Sequence, residues 1–259
     1  MTTKNNKLCK LLSIAALTTM AFGASYADQI NIKFATNATY PPFVSKNAQG
    51  KMIGYDIDVV HAICKDIKAK CSIEDTSFEA LIPSLTLGKY DAIFGGLSIT
   101  PKRQQVVDFT KPLYQNAATF IVAKDSEFSL KQSEMDGKVI GYQQGNTFPN
   151  YIKATYGSKV KLKAYPSPAL AFQDLIHHRI DAVMLDKIVA TDMLRKQNNK
   201  DYITVGDIYN AKYFGIGSGI AVKKGNQTLL KELDQSIHTL HQNGTIKKLQ
   251  KKWHLDEQS

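Results

Sequence analysis

The stretches "FEALIPSLTLGKYDAIFGG", Phe78 to Gly96, and "FQDLIHHRIDAVMLD", Phe172 to Asp186, are two versions of one pattern. Each reads as an amphipathic helix, a tight turn, an Asp-Ala pair and a buried strand. Chance similarity of two helix-strand units is the alternative; a true echo implies two lobes built alike. In open α/β sheets, ligands bind beyond the carboxyl ends of such strands. The alternation extends outward, with "QINIKFAT" as a strand and "DIDVVHAICKDI" as an amphipathic helix. Strands alternating with helices predict an α/β fold with largely parallel sheets.

Just after the first copy comes "GGLSITPKRQQVVDF", Gly95 to Phe109. Thr100 reads as a helix N-cap and Pro101 as the first helical residue. Arg103 then falls in the first turn, where the helix dipole favours an acid. A bound anion, held by the guanidinium and the exposed backbone N–H groups, resolves the conflict; an arginine pointing into water is the alternative. Between the copies, "GKVIGYQQGNTFPNYI" reads as a strand, a turn at Gly145-Asn146-Thr147 and a helix. Each lobe therefore offers one junction suited to an anion.

Lys4, Lys7 and Lys10 precede an apolar run, Leu11 to Ala24, too short to span a bilayer. With Ser25-Tyr26-Ala27 behind it, the run reads as a secretory signal peptide over residues 1–27. Removing it takes three lysines and no acids, and lowers the formal charge from +10 to +7. A basic cytosolic chain would raise nucleic acid as a partner; in an exported chain with scattered basic residues that partner is not expected. "KKLQKKW", Lys247 to Trp253, reads as a solvated helix face. Cys9 leaves with the signal peptide. Cys64 and Cys71 remain as an even pair in an oxidising compartment, so a disulfide is the default and two buried thiols the alternative. No ligand cluster suggests a metal, the adjacent His177 and His178 point about 100° apart on a helix, and no P-loop is present.

"TYPPF", "GYDID", "FEALIPSL", "GGLSITPKRQQVVDFTKPLY", "IGYQQGNT", "IDAVMLD" and "KYFGIGSGIAVKKGN" occur in this order. In combination they resemble the periplasmic solute-binding proteins of polar amino-acid ABC transporters (family 3), most of all the arginine and lysine/arginine/ornithine binders and the histidine binders. The resemblance runs from about Ile30 to Trp253, and the family's cysteine pair matches "CKDIKAKC". It implies a type II two-lobe α/β fold, each lobe a mostly parallel sheet flanked by helices, joined by two hinge strands. Residues 28–116 plus 216–259 would form lobe 1, and 117–215 lobe 2. The chain would cross near Tyr114 to Ala118 and return near Phe214 to Gly217.

The resemblance also implies roles. Arg103 would take the ligand α-carboxylate, helped by the backbone N–H groups of Ser98 and Thr147. Asp186 would take the α-ammonium, with the Ser98 hydroxyl and a carbonyl near Gly96. Tyr40 and Phe78 would wall the side chain. Two departures stand out: Asn37 where basic-residue binders often carry an acid, and Gly95 and Gly96 where some relatives carry serines. Asp56 and Glu79 are nearby acids, and Gln143 and Gln144 suit an amide or a guanidinium. The expected ligand is a basic L-amino acid, arginine first and then lysine or ornithine, with glutamine or histidine as runner-up, delivered by the closed form to an inner-membrane ABC permease. The chain is expected to be a periplasmic monomer without a cofactor, although a sensor receptor as partner is not excluded.

Two enzyme readings compete. "GLSIT" around Ser98 falls one residue short of a G-x-S-x-G nucleophile elbow, with Asp186 and His238 in hydrolase order. Thr100 and Pro101 stand where the elbow needs its last glycine. Some relatives on this fold are periplasmic cyclohexadienyl-type dehydratases, but no unassigned general acid stands out here.

Overall fold

Ile32 and Phe34 are buried while Asn31 and Lys33 are exposed, the period-two pattern that makes β1 (Asn31–Thr36) a strand. The computed structural model describes Met1 and residues 30–115, 117–196 and 199–255. The signal peptide expected over residues 1–27, Met1 apart, and Asn116 at the expected lobe boundary lie outside them.

Short strands β2 (Thr39–Tyr40), β3 (Val44–Lys46) and β4 (Met52–Ile53) form a small antiparallel sheet. Helix α1 (Tyr55–Asp66) buries Val59, Val60, Ile63 and Cys64, a stripe at helical spacing. A disulfide from Cys64 to Cys71 ties its end to β5 (Lys70–Asp75). The helix expected from Phe78 is split: residues 78–80 form a 3-10 turn, and α2 spans Leu81–Thr86. Pro83 accounts for this, because its ring crowds a regular helical carbonyl four residues back, at Glu79.

The chain continues through β6 (Ala92–Ile93), α3 (Pro101–Gln104) and β7 (Val107–Phe109). After it come β8 (Ala118–Ala123), β9 (Val139–Gln143), α4 (Phe148–Tyr156), β10 (Lys161–Tyr165), α5 (Pro168–Ile176), β11 (Ala182–Asp186), α6 (Lys187–Lys196) and β12 (Tyr202–Ile208). The last elements are α7 (Ala211–Phe214), β13 (Ala221–Lys223), α8 (Gln227–Gln242) and α9 (Thr245–Lys252).

The strands sort into two five-stranded sheets, ordered β5-β1-β6-β13-β7 and β10-β9-β11-β8-β12. In each, the first two pairings are parallel and the last two antiparallel. The strand running against the rest is β13 in one sheet and β8 in the other. Each is the strand that enters after the chain has crossed from the opposite sheet. The two crossovers lie side by side: the Ser218 N–H donates to the Tyr114 carbonyl at 2.9 Å, and the Leu113 N–H to the Ser218 carbonyl at 2.8 Å. Helices α8 and α9 pack on α1 beside the first sheet, and α5 and α6 cover strands of the second.

The sequence echo is a structural repeat. At its turns, Gly88 and His178 both take positive φ, and their N–H groups donate to Leu85 and Leu175. Asp91 and Asp181 then make the same contact in each lobe. The Lys33 N–H donates to the Asp91 carboxylate at 2.8 Å, and the Val139 N–H to that of Asp181 at 2.7 Å. The Asp of each Asp-Ala pair thus fastens the strand beside it, and β6 and β11 occupy equivalent places.

Candidate functional site

Four equivalent strand ends face one another. Asn37 follows β1 and Gln143 ends β9; Gly95 and Gly96 follow β6 and Asp186 ends β11. Both pairings are closed across the cleft. Gln143 Nε2 donates to Asn37 Oδ1 at 2.9 Å, and the Tyr40 hydroxyl, beside Gly96, donates to Asp186 Oδ2 at 2.7 Å.

Arg103 is brought here by α3. The Thr100 hydroxyl caps that helix, accepting from the Arg103 N–H at 3.3 Å. The arginine does not point into water: it is 8 % exposed, with Nη1 donating to the Ser98 carbonyl at 3.1 Å and Nη2 to the Gly145 carbonyl at 3.3 Å. Its Cζ lies 5.6 Å from the centre of the Phe78 ring. Burial pulls its pKa down to about 10, and Asp186 and Tyr40 work the other way. It remains a cation at neutral pH.

Asp186 is half-buried. Desolvation pushes its pKa up to about 6, against the lowering effects of the Tyr40 hydrogen bond and the Arg103 charge. The cleft therefore holds one buried cation from the first sheet's side, against the Phe78 ring, and one carboxylate from the second's, bonded to the Tyr40 hydroxyl.

The glycines owe their identity to crowding. A Cβ on Gly95 would stand 2.5 Å from Thr36 Oγ1, and one on Gly96 2.8 Å from the Tyr40 ring, both at positive φ. Serines there would need a different backbone. Gly145 is crowded across the lobes, since its Cβ would meet Glu79 Cα at 2.6 Å.

Asn37 donates through Nδ2 to the Thr76 carbonyl at 2.8 Å and accepts from the Thr39 hydroxyl at 2.5 Å. Gln143 Nε2 also reaches Thr39 Oγ1 at 3.2 Å and the Pro166 carbonyl at 3.3 Å, leaving its buried Oε1 without a hydrogen-bond partner in the described structure. Thr147 lies half-buried at the start of α4, where its N–H donates to Asn146 Oδ1 at 2.6 Å. Sequence reasoning named Asn146 only as part of its turn and passed over Thr39 and Thr36; all three lie beside expected site residues and carry no signal beyond a turn-forming or strand-end context. Gln144 and Glu79 are exposed, and Asp56 is buried behind Gly96. His238 is exposed on α8 among Lys111, Glu232 and Asp234, apart from the residues that touch Arg103 and Asp186. Among the described residues, no group of His, Cys, Asp and Glu could hold a metal ion, and no helix is long and apolar enough to cross a membrane.

A cavity of about 550 Å³ opens beside Arg103, lined also by Thr100, Lys102, Thr147, Asn150 and Lys212. It carries three cationic side chains and no acid, a lining suited to the carboxylate end of a ligand.

The family model for bacterial extracellular solute-binding proteins, family 3, matches residues 32–256. ABC transporter arginine-binding protein 1 of Escherichia coli is 39 % identical over 244 residues, covering 94 % of this chain and 98 % of that protein. The lysine/arginine/ornithine-binding periplasmic protein of the same organism is 35 % identical over 248 residues, covering 94 % and 95 %. A solved periplasmic binding protein of Salmonella typhimurium with high arginine specificity superposes with a TM-score of 0.80 at 34 % identity, covering 86 % of this chain and 99 % of that one.

Proposed function

The chain belongs to the bacterial extracellular solute-binding proteins of family 3, and from that premise we propose that it captures a basic L-amino acid, arginine first and lysine or ornithine next. The observation that carries this reading is the pair of opposite charges, buried Arg103 and half-buried Asp186, on opposite sides of one cleft. A zwitterion matches both: its carboxylate goes to the guanidinium, with the N–H of Ser98 and that of Thr147, which gives up Asn146 Oδ1 for it, and its ammonium goes to Asp186. Residues 28–116 with 216–259 act as one lobe and 117–215 as the other, turning about the two adjacent crossovers. The side chain runs between Tyr40 and Phe78 toward Asn37 and Gln143, where the unpartnered Gln143 Oε1 accepts from a cationic N–H donor.

The protein works in the periplasm after loss of its signal peptide, as a monomer and not as an enzyme. Its closed form hands the ligand to an inner-membrane ABC permease. One observation favours glutamine as a second reading: Asn37 and Gln143 face the side-chain end as neutral amides bonded to each other.

Thermal unfolding of refolded protein against the twenty amino acids plus ornithine tests the proposal. At a hundredfold excess over Kd a ligand adds about 2.7 kcal/mol, a rise of roughly 5–10 °C for a chain of this size. The largest shift is expected with arginine, followed by lysine or ornithine. A shift only with glutamine or histidine overturns the basic-ligand reading. No shift with any of them overturns amino-acid binding, and a cyclic hydroxy acid of the dehydratase type becomes the next ligand to try.

A further inference from the structure

Asp56 is 2 % exposed in the first turn of α1, and the charge pair across the cleft does not use it. Its Oδ2 accepts from the Gly96 N–H at 3.2 Å and from the Tyr114 hydroxyl at 3.1 Å. Its Oδ1 is buried without a hydrogen-bond partner in the described structure. Neither donor is a cation, so no ion pair offsets the desolvation of the carboxyl group, and burial pushes its pKa up to about 7. An apolar side chain would avoid that cost but would leave the Gly96 N–H and the Tyr114 hydroxyl without their acceptor.

The two donors are joined by a second route. The Tyr114 ring stacks on Phe43 at 4.3 Å and 3°, and Phe43 on Tyr40 at 6.4 Å and 23°. The Tyr40 ring lies against Gly96, where a Cβ would stand 2.8 Å from it. Asp56, Gly96, Tyr40, Phe43 and Tyr114 thus form a closed ring of contacts. One corner, Tyr114, sits in the first crossover and holds the returning chain at Ser218. Another, Tyr40, ends on Asp186 across the cleft.

We propose that Asp56 is a positioning residue for the ligand site, tying the Gly96 turn at the cleft to Tyr114 at the hinge so that both take their closed positions together. It acts through these two groups and does not touch the ligand. The inference rests on the amino-acid-binding reading above.

The test is calorimetric titration of arginine into the native protein and into Asp56→Leu, Asp56→Asn, Tyr114→Phe and Asp56→Leu/Tyr114→Phe, each well below its own Tm. Asp56→Leu removes the acceptor and raises Kd about tenfold or more, whereas Asp56→Asn keeps a carbonyl for both donors and stays within about threefold of native. Tyr114→Phe raises Kd roughly three- to tenfold alone but less than about threefold in the Leu background, because the partner is already gone. A merely structural Asp56 would lower Tm and leave Kd unchanged. Native Kd in a folded Asp56→Leu, or full multiplication of the two effects, overturns the proposal. If Asp56→Leu does not fold, Tyr114→Phe decides alone, and native affinity there overturns it. Absence of arginine binding by the native protein instead overturns the amino-acid reading itself.

Discussion

The Tyr40 hydroxyl donates to the Asp186 carboxylate at 2.7 Å, joining residues 146 positions apart from opposite sides of the cleft. The bond links an aromatic wall of the candidate pocket to the carboxylate assigned to the ligand ammonium. It also lowers the Asp186 pKa, opposing the larger upward push of burial.

Affinity is expected to fall with acid because of this carboxylate. Asp186 has a folded pKa of about 6, above the ordinary value of about 3.9. Without ligand, its contribution to stability declines as pH rises from about 4 through 6 and is constant above. An ammonium ligand requires the ionised form, so Kd for arginine should be flat above about pH 7 and rise toward tenfold per unit below 6. Calorimetry from pH 5 to 8 on the Asp56→Asn variant, which lacks the other raised carboxyl group of pKa about 7, reads this, with proton release on binding at the acid end. Tyr40→Phe should move the midpoint upward; a flat profile would remove Asp186 from the ammonium site.

Arg103→Ala should weaken binding of every amino acid tested, whatever its side chain. Loss of a buried charged partner costs about 2–5 kcal/mol, at least roughly thirtyfold in Kd. A loss confined to basic ligands would place Arg103 at the side-chain end.

Asn37→Asp adds a charge where Gln143 and Thr39 already donate, and removes the bond to the Thr76 carbonyl. The ratio of lysine to glutamine affinity should rise, with some loss of Tm in the absence of ligand. Competition titration measures the ratio, and an unchanged value would locate the side-chain pocket elsewhere.

Gly145→Ala should impair closure, because the new Cβ would stand 2.6 Å from Glu79 Cα across the cleft. Arginine affinity is expected to fall about tenfold or more, a loss of at least roughly 1.4 kcal/mol. Small-angle scattering should show less contraction on adding ligand than in the native protein.

Replacing Cys64 and Cys71 by serine opens a short loop, the two residues being seven apart. The chain-entropy relation gives about 2.5 kcal/mol, or roughly 5–10 °C in Tm. Arginine affinity should be unchanged, since the staple joins α1 to β5 away from the cleft. A large change in affinity would mean that the staple supports the site.

The repeat was legible because helix, turn, Asp-Ala and strand are local patterns, and each Asp makes its strand contact the same way in both lobes. Arg103 was legible as a misfit in its own helix turn. The bond between Asn37 and Gln143 was not, because its two amides are separated by 106 positions and meet only when two sheets face each other. Nor was the crowding at Gly95 and Gly96, which comes from Thr36 and Tyr40 on other strands.

By itself the sequence determined the α/β class, the doubled unit, the capped turn that carries Arg103 and the cysteine pair, all written in neighbouring residues through periodicity and turn chemistry. Tertiary structure alone decided what those residues touch. It turned Arg103 inward onto the carbonyls of Ser98 and Gly145, set Tyr40 on Asp186, and hid Asp56 between Gly96 and Tyr114. The reason is physical: burial and long-range pairing set the charge and reach of a side chain, and both depend on how the sheets assemble.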